Sequence, residues 1–361
     1  MKITIIAGAR PNFMKIAPII EAISNAKKEK KNISYRLVHT GQHYDKNMSD
    51  SFFTQLGIPE PDANLECGGG THAEQTANIM VRFEKELLDN PTDLVMVVGD
   101  VTSTMACSIV AKKLCIKVAH VEAGIRSGDI TMPEEINRMV TDAITDYFFT
   151  TSTIANQNLL KQGIHQNQIF FVGNTMIDTL LKNQSKFIKP TIWYKAALIE
   201  KNYFVLTLHR PANVDEEQGL KLMMDEIIAA SKGLPIIFPV HPRTAKNLES
   251  LGILANNLFM TDPMSYLEFN YLVEKAKCVV TDSGGITEET TVMKVPCITL
   301  RTTTERPETI TVGTNELIGV NPNAIKPAFE KLFSGNWKKG GIPELWDGKT
   351  GERIVNHLLS I

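Results

Sequence analysis

The sequence predicts an α/β protein built from two similar-sized domains. Three observations carry this. Short, β-branched apolar runs alternate with longer helical patterns along nearly the whole chain, as βαβ units do. The rhythm breaks once, across residues 184–202 ("QSKFIKPTIWYKAALIEKN"), and then restarts. The chain also has 361 residues, whereas a single core stops growing at roughly 250–300.

The elements follow in order. "ITIIAG" is strand-like, "FMKIAPIIEAISNA" is helical, and "YRLVHTG" is the next strand. "DLVMVVGD" precedes the helical "STMACSIVAKKL", and "IKVAHVEAG" follows. "DYFFTTS" leads into "TIANQNLLKQ", and "IFFVGN" into "TMIDTLLKN". After the break, which reads as a linker, come "YFVLTLHR", "LPIIFPVHP", "LFMTDP", "CVVTDSGG", "PCITLRT" and "ELIGV". These strands are apolar throughout, so both faces are buried, as in a parallel sheet. Open parallel sheets bind ligands beyond the carboxyl ends of their strands. The strand ends of both domains are therefore expected to face one central cleft. The domains are expected over residues 1–185 and 200–345, with a last helix at 349–361 able to pack back on the first.

Composition excludes several classes. The chain is 43% hydrophobic and 22% charged, an ordinary globular balance. Lys plus Arg is 38 and Asp plus Glu is 40, so no basic excess points to nucleic acid or a membrane surface. Any phosphate must be held by local groups. No apolar run reaches about 18 residues and no signal peptide pattern opens the chain, so a cytoplasmic protein is expected. The five cysteines form no CxxC pair, and most sit in apolar runs, where they read as buried free thiols. Neither a metal nor a cofactor is expected.

"VVTDSGGITEET" (279–290) joins a strand, a small-residue turn and a helix start. Such a turn aims backbone N–H groups and a helix dipole at an anion. Ser283 can add a hydroxyl, Gly284 and Gly285 let phosphate oxygens approach, and Glu289, about one turn on, can accept from a ribose diol. The same pattern also serves as an unliganded connection. "GGGTHA" (68–73) formally matches a dinucleotide fingerprint but follows no buried strand, and "DGKT" (347–350) lacks the first Walker glycine.

In "AGARPNFMK", Gly8 allows a turn, Pro11 suits an early helical position, and Arg10 and Lys15 are placed for a diphosphate or for solvent. Asp100 ends the apolar "VVGD", where it can act chemically or cap the next helix. Glu122 ends the next strand, and Glu134 and Glu135 follow Pro133 at a helix start. Several carboxylates at one cleft can have their pKa values pushed apart, which makes an acid and a base. His209 and His241 each end an apolar strand and precede an arginine. No HxxxH or Cys/His cluster accompanies them, which disfavours a metal.

Together these blocks resemble the non-hydrolysing UDP-N-acetylglucosamine 2-epimerases from end to end. The matching words are "GARPNFMK", "GQHYD", "VVGDVTST", "HVEAGIRSGD", "MPEEINR", "GNTMID", "HRPANVD", "PVHPR", "TDSGGITEE" and "TTERPETITVGT". The resemblance implies a GT-B-like fold of two Rossmann-like, doubly wound domains, and a homodimer. It implies reversible inversion at C2, turning UDP-N-acetylglucosamine into UDP-N-acetylmannosamine, with UDP eliminated to leave 2-acetamidoglucal and then added back. The family's catalytic acids map onto Asp100, Glu122 and Glu134, and its catalytic histidine onto His209. Arg10, Lys15, His241, Ser283, Gly284, Gly285, Glu289, Arg301, Thr303, Glu305 and Arg306 match substrate- or UDP-binding positions. The chain departs from many bacterial members at 42–44, at 69–70 and at 209–212. Those regions contribute to an allosteric site in regulated members, so the resemblance does not carry over substrate activation. "GQHYD" and "HRPANVD" also occur in relatives acting on UDP-2,3-diacetamido-glucuronate. A hydrolysing epimerase, a GT-B glycosyltransferase and a silent UDP-sugar binder are the competing readings.

Overall fold

The computed structural model describes residues 1–41, 57–214, 216–240, 245, 246, 248 and 250–361. Two compact units emerge, Met1–Lys182 with Glu344–Ile361, and Asn183–Pro343.

The first unit holds strands β1 (Lys2–Ala7), β2 (Ser34–His39), β3 (Ala63–Asn64), β4 (Leu94–Val98), β5 (Lys117–Val121), β6 (Tyr147–Thr150) and β7 (Ile169–Phe171). All described pairs are parallel, in the order β3-β2-β1-β4-β5-β6-β7. The order reverses between β1 and β4, the place where such sheets bind ligands. Val98 lies opposite Val121, so Asp100 and Glu122 leave neighbouring strands at nearly one level. The unbroken apolar strands follow from helices covering both faces. These are α1 (Arg10–Lys28), α2 (His72–Asp89), α3 (Thr102–Lys113), α4 (Pro133–Ile144), α5 (Thr153–Lys161) and α6 (Thr175–Asn183). Helix α2 opens with a reciprocal Thr71/Glu74 cap. Under it, Ile79, Phe83 and Leu87 meet Val95, Val97 and Val110 in one buried cluster.

The second unit repeats the design. Strands β8 (Phe204–Thr207), β9 (Ile236–Pro239), β10 (Leu258–Thr261), β11 (Cys278–Thr281), β12 (Cys297–Thr299) and β13 (Asn315–Leu317) run parallel in the order β10-β9-β8-β11-β12-β13. Its helices are α7 (Ile192–Lys195), α8 (Pro211–Val214), α9 (Glu217–Ala230), α10 (Tyr266–Lys275), α11 (Gly284–Val292), α12 (Pro307–Thr311) and α13 (Ile325–Phe333). The segment read as a linker is not a free one. Ile192, Ala196 and Leu198 are buried against Val205, Ile237 and Leu272 in the core of this unit. Its polar residues hid that apolar spacing from a search for strands.

The last helix, α14 (Thr350–Ser360), packs against α1. A Cβ on Gly351 would lie 2.6 Å from the Pro18 carbonyl oxygen, so the glycine permits the close approach. Four cysteines are buried and Cys115 is exposed. No described helix is long and apolar enough to cross a membrane.

Candidate functional site

In the first unit, Asn12 ties the switch point together. Its Oδ1 accepts from the N–H groups of Gly8 (3.2 Å) and Ala9 (2.9 Å), and its Nδ2 donates to the Val98 carbonyl at 3.0 Å. The buried amide thus links the end of β1 to the end of β4. One turn on, Lys15 Nζ donates to Glu122 Oε2 at 2.7 Å. Gly99 sits in the left-handed region (φ 70), and a Cβ there would come within 3.1 Å of Lys15 Nζ. Gly8 has a different role from the turn expected of it. It is not in the left-handed region; a Cβ would strike Ser103 Oγ at 2.4 Å.

Glu122 has a φ of 73, a conformation that costs a residue with a side chain about 1–2 kcal/mol. Glycine would sit there without strain. A buried, cation-paired carboxylate in that position is the kind of strain found at working sites.

Asp100 does not cap α3, whose N-cap is Val101 with no side-chain cap bond. Its Oδ2 instead accepts from Arg138 Nε (3.1 Å) and Nη2 (2.6 Å), and Asn137 Nδ2 donates to its carbonyl at 2.8 Å. The adjacent glutamates of α4 divide. Buried Glu135 accepts from Arg138 Nη1 at 2.6 Å and from the Ser127 and Gly128 N–H groups. Burial pushes its pKa up, but these donors outweigh that and hold it below the usual range. Glu134 is half-buried and makes no hydrogen bond among the described residues, so its carboxylate remains available.

In the second unit the matching switch point lies between β8 and β11. Asp282 is fully buried there. It accepts from the N–H groups of His209 (3.0 Å) and Arg210 (2.9 Å), from Asn213 Nδ2 (3.1 Å), and from His209 Nδ1 at 2.7 Å. Burial alone would raise its pKa; the His209 ring and the backbone donors bring it down to about 2. The bond fixes the His209 ring by Nδ1, while the ring itself is exposed and presents Nε2 outward.

Helix α11 starts at Gly284 behind Ser283, which makes no side-chain cap bond. Neither glycine is left-handed. A Cβ on Gly284 would lie 2.7 Å from Glu305 Oε1, whereas one on Gly285 would meet nothing within 4 Å among the described residues. The first glycine makes room for this chain and the second leaves the helix start open. Buried Arg301 donates from Nη2 to Glu305 Oε2 at 2.6 Å, and its Nη1 has no partner among the described residues. Arg306 is absorbed in a buried pair with Glu288. Thr303 is half-buried and makes no hydrogen bond among the described residues. Glu289 is fully enclosed; Tyr266 Oη donates to it at 2.8 Å and Asn270 Nδ2 at 3.5 Å. Burial outweighs both bonds and pushes its carboxyl up to about 7.

The structure gathers Lys15, Asp100, Glu122 and Glu134 at one end of the first sheet, and His209, Ser283, Gly284, Gly285, Arg301 and Glu305 at one end of the second. The Arg10 side chain, His241 and residues 42–44 lie outside the described residues. Sequence reasoning missed Asn12, Arg138, Asp282 and Tyr266. Asp282 carried a signal, an acid at a strand end directly before Ser-Gly-Gly.

The family model described as UDP-N-acetylglucosamine 2-epimerase matches residues 25–359. A UDP-N-acetylglucosamine 2-epimerase of Methanocaldococcus jannaschii is 45% identical over 370 residues, covering 99% of each chain. A UDP-2,3-diacetamido-2,3-dideoxy-D-glucuronate 2-epimerase of Pseudomonas aeruginosa is 39% identical over 100% of both. The crystal structure of the Methanocaldococcus jannaschii UDP-GlcNAc 2-epimerase with UDP-GlcNAc and UDP superposes with a TM-score of 0.89 over 100% of both chains, at 43% identity.

Proposed function

The chain belongs to the UDP-N-acetylglucosamine 2-epimerase family, and from that premise we propose that it interconverts UDP-N-acetylglucosamine and UDP-N-acetylmannosamine. The C2 proton has no adjacent carbonyl to acidify it. Breaking the C1–O bond builds oxocarbenium character at C1, and that acidifies C2–H. One carboxylate removes the proton while UDP leaves with the bonding electrons, giving 2-acetamidoglucal. A proton then returns to the other face of C2, and UDP adds back at C1.

Asp100, Glu122 and Glu134 are the carboxylates of this scheme. Lys15 and Arg138 keep two of them paired with cations rather than with one another. His209, oriented by Asp282, meets the departing diphosphate. The open start of α11, with Ser283, Gly285 and Arg301, holds that diphosphate, assisted by Arg10 and His241. Gly284, Thr303, Glu305 and Arg306 build the surrounding wall. Glu289 takes the ribose diol. The observation that carries the reading is Glu122, a strained, buried carboxylate paired with Lys15 and following the strand next to the one that leads to Asp100. The working form is a cytoplasmic homodimer.

Proton NMR of UDP-N-acetylglucosamine incubated with the enzyme in deuterium oxide tests this. Deuterium at C2 and a mixture of two UDP-sugars are expected. Exclusive release of free sugar and UDP would replace the reading with a hydrolysing epimerase. The diacetamido-glucuronate substrate is the second candidate, because the Pseudomonas aeruginosa relative matches end to end. Exchange on that sugar and none on UDP-N-acetylglucosamine would select it.

A further inference from the structure

Helix α4 is turned inside out. A helix on a sheet normally buries its apolar stripe. Here Glu135, Asn137, Arg138, Thr141 and Asp142 are buried, while Ile136 and Met139 are each 45% exposed. Burying charged groups costs stability even when they are paired, and well-packed apolar residues often do better. The destinations of the bonds show what this arrangement provides.

One arm starts at Arg138. It forks across Asp100 Oδ2 and Glu135 Oε2, and Asn137 holds the Asp100 carbonyl. The other arm starts at Asp142. Its Oδ2 accepts from the Gly124 N–H at 3.0 Å and pairs with Arg126 at 2.7 Å. Its Oδ1 accepts from His120 Nδ1 at 2.7 Å, and His120 Nε2 donates to the Gly99 carbonyl at 2.8 Å. Gly99 directly precedes Asp100, and Gly124 stands two residues after Glu122. Both glycines are left-handed, with φ of 70 and 77. The two arms therefore end on the two turns that carry Asp100 and Glu122, and the helix itself carries Glu134.

We propose that the buried polar face of α4 is a brace that fixes the mutual placement of the three acids, with Asp142 and Arg138 as its positioning residues. The inference rests on the epimerase reading. Inversion takes a proton from one face of C2 and returns one to the other, so the acids must keep fixed stations around one carbon. Misplacement by about 1 Å costs such chemistry about 100-fold.

The test compares wild type with Asp142→Asn, which keeps the shape and one acceptor but removes the charge facing His120 and Arg126. Turnover on UDP-N-acetylglucosamine is expected to fall about 100-fold, with KM within about threefold and UDP affinity unchanged. His120→Gln, whose amide can still reach the Gly99 carbonyl, is expected to retain more turnover than His120→Ala. Should Asp142→Asn fail to fold, Arg138→Lys makes the same test, because lysine keeps the charge and loses the fork. A folded variant with wild-type kcat would overturn the brace. So would a loss of kcat matched by an equal loss of UDP affinity or of folded protein. Absence of C2 exchange in the wild type would overturn the epimerase reading itself; exchange in the wild type and undiminished exchange in the variants would overturn only the brace.

Discussion

Replacing Glu289 with glutamine should make the protein more stable and its nucleotide binding worse. Glu289 is enclosed, and burial raises its carboxyl from 4.5 to about 7. A carboxyl raised in the folded state binds more protons folded than unfolded. Its stability contribution is complete below the unfolded value and lost as pH rises through the folded one. A shift of that size corresponds to about 3 kcal/mol lost by pH 8, and to less than about 1 kcal/mol at pH 5. Glutamine carries no charge to bury, and its carbonyl can still accept from Tyr266 Oη and Asn270 Nδ2. Denaturant unfolding at pH 8 should therefore show Glu289→Gln more stable than wild type by up to about 3 kcal/mol, with the gain shrinking below about 1 at pH 5. Calorimetric titration with UDP should show weaker binding at pH 8, because the ionised acceptor for the ribose diol is gone. An equal gain at both pH values, or no gain at pH 8, would refute the assignment of the burial cost to this carboxyl.

Four further outcomes follow from the site. Asp282→Asn should cost about 2 kcal/mol at pH 7, because the native state holds this carboxyl at about 2 rather than 3.8. That contribution is present above pH 4 and disappears as pH falls through about 2, so the two proteins should converge in acid unfolding curves. Turnover should also fall up to about 100-fold as the His209 ring loses its orientation, read in the NMR assay. Asp100→Asn should lower turnover by at least about 100-fold while UDP still binds in calorimetry. Gly285→Ala meets no atom within 4 Å among the described residues and should leave thermal stability unchanged or slightly higher, yet weaken UDP binding about tenfold or more. Gly284→Ala should cost about 1–3 kcal/mol in denaturant unfolding, because Glu305 is tied to Arg301 and must move.

Much of the fold was legible because one physical rule writes it. Parallel strands buried on both faces leave unbroken apolar runs, and the runs before Gly99 and Ser283 both proved to be central strands. The acids at strand ends were legible for a related reason. A charge directly after a buried strand is expensive unless it caps, pairs or reacts. What sequence left open was which of these each acid does. Glu134 and Glu135 are neighbours with the same chemistry, yet one is buried against Arg138 and the other stays available. Asp100 and Arg138 are far apart in the chain, and only the tertiary fold brings them together. The glycines of "DSGG" were read as serving one ligand, but a Cβ on Gly284 would collide with Glu305. Spacing along a chain does not report such contacts. The inverted face of α4 was illegible in principle, because a helical period locates two faces and the usual rule then buries the wrong one.

The central claim is that UDP leaves and returns during one turnover. Positional isotope exchange tests it most directly. UDP-N-acetylglucosamine carrying oxygen-18 in the bridge between C1 and the β-phosphorus is incubated with the enzyme, and phosphorus NMR follows the label. If the C1–O bond breaks and the β-phosphate rotates before re-addition, the label moves into non-bridging positions of recovered UDP-sugar. Full C2 epimerisation with the label still wholly in the bridge would contradict the account.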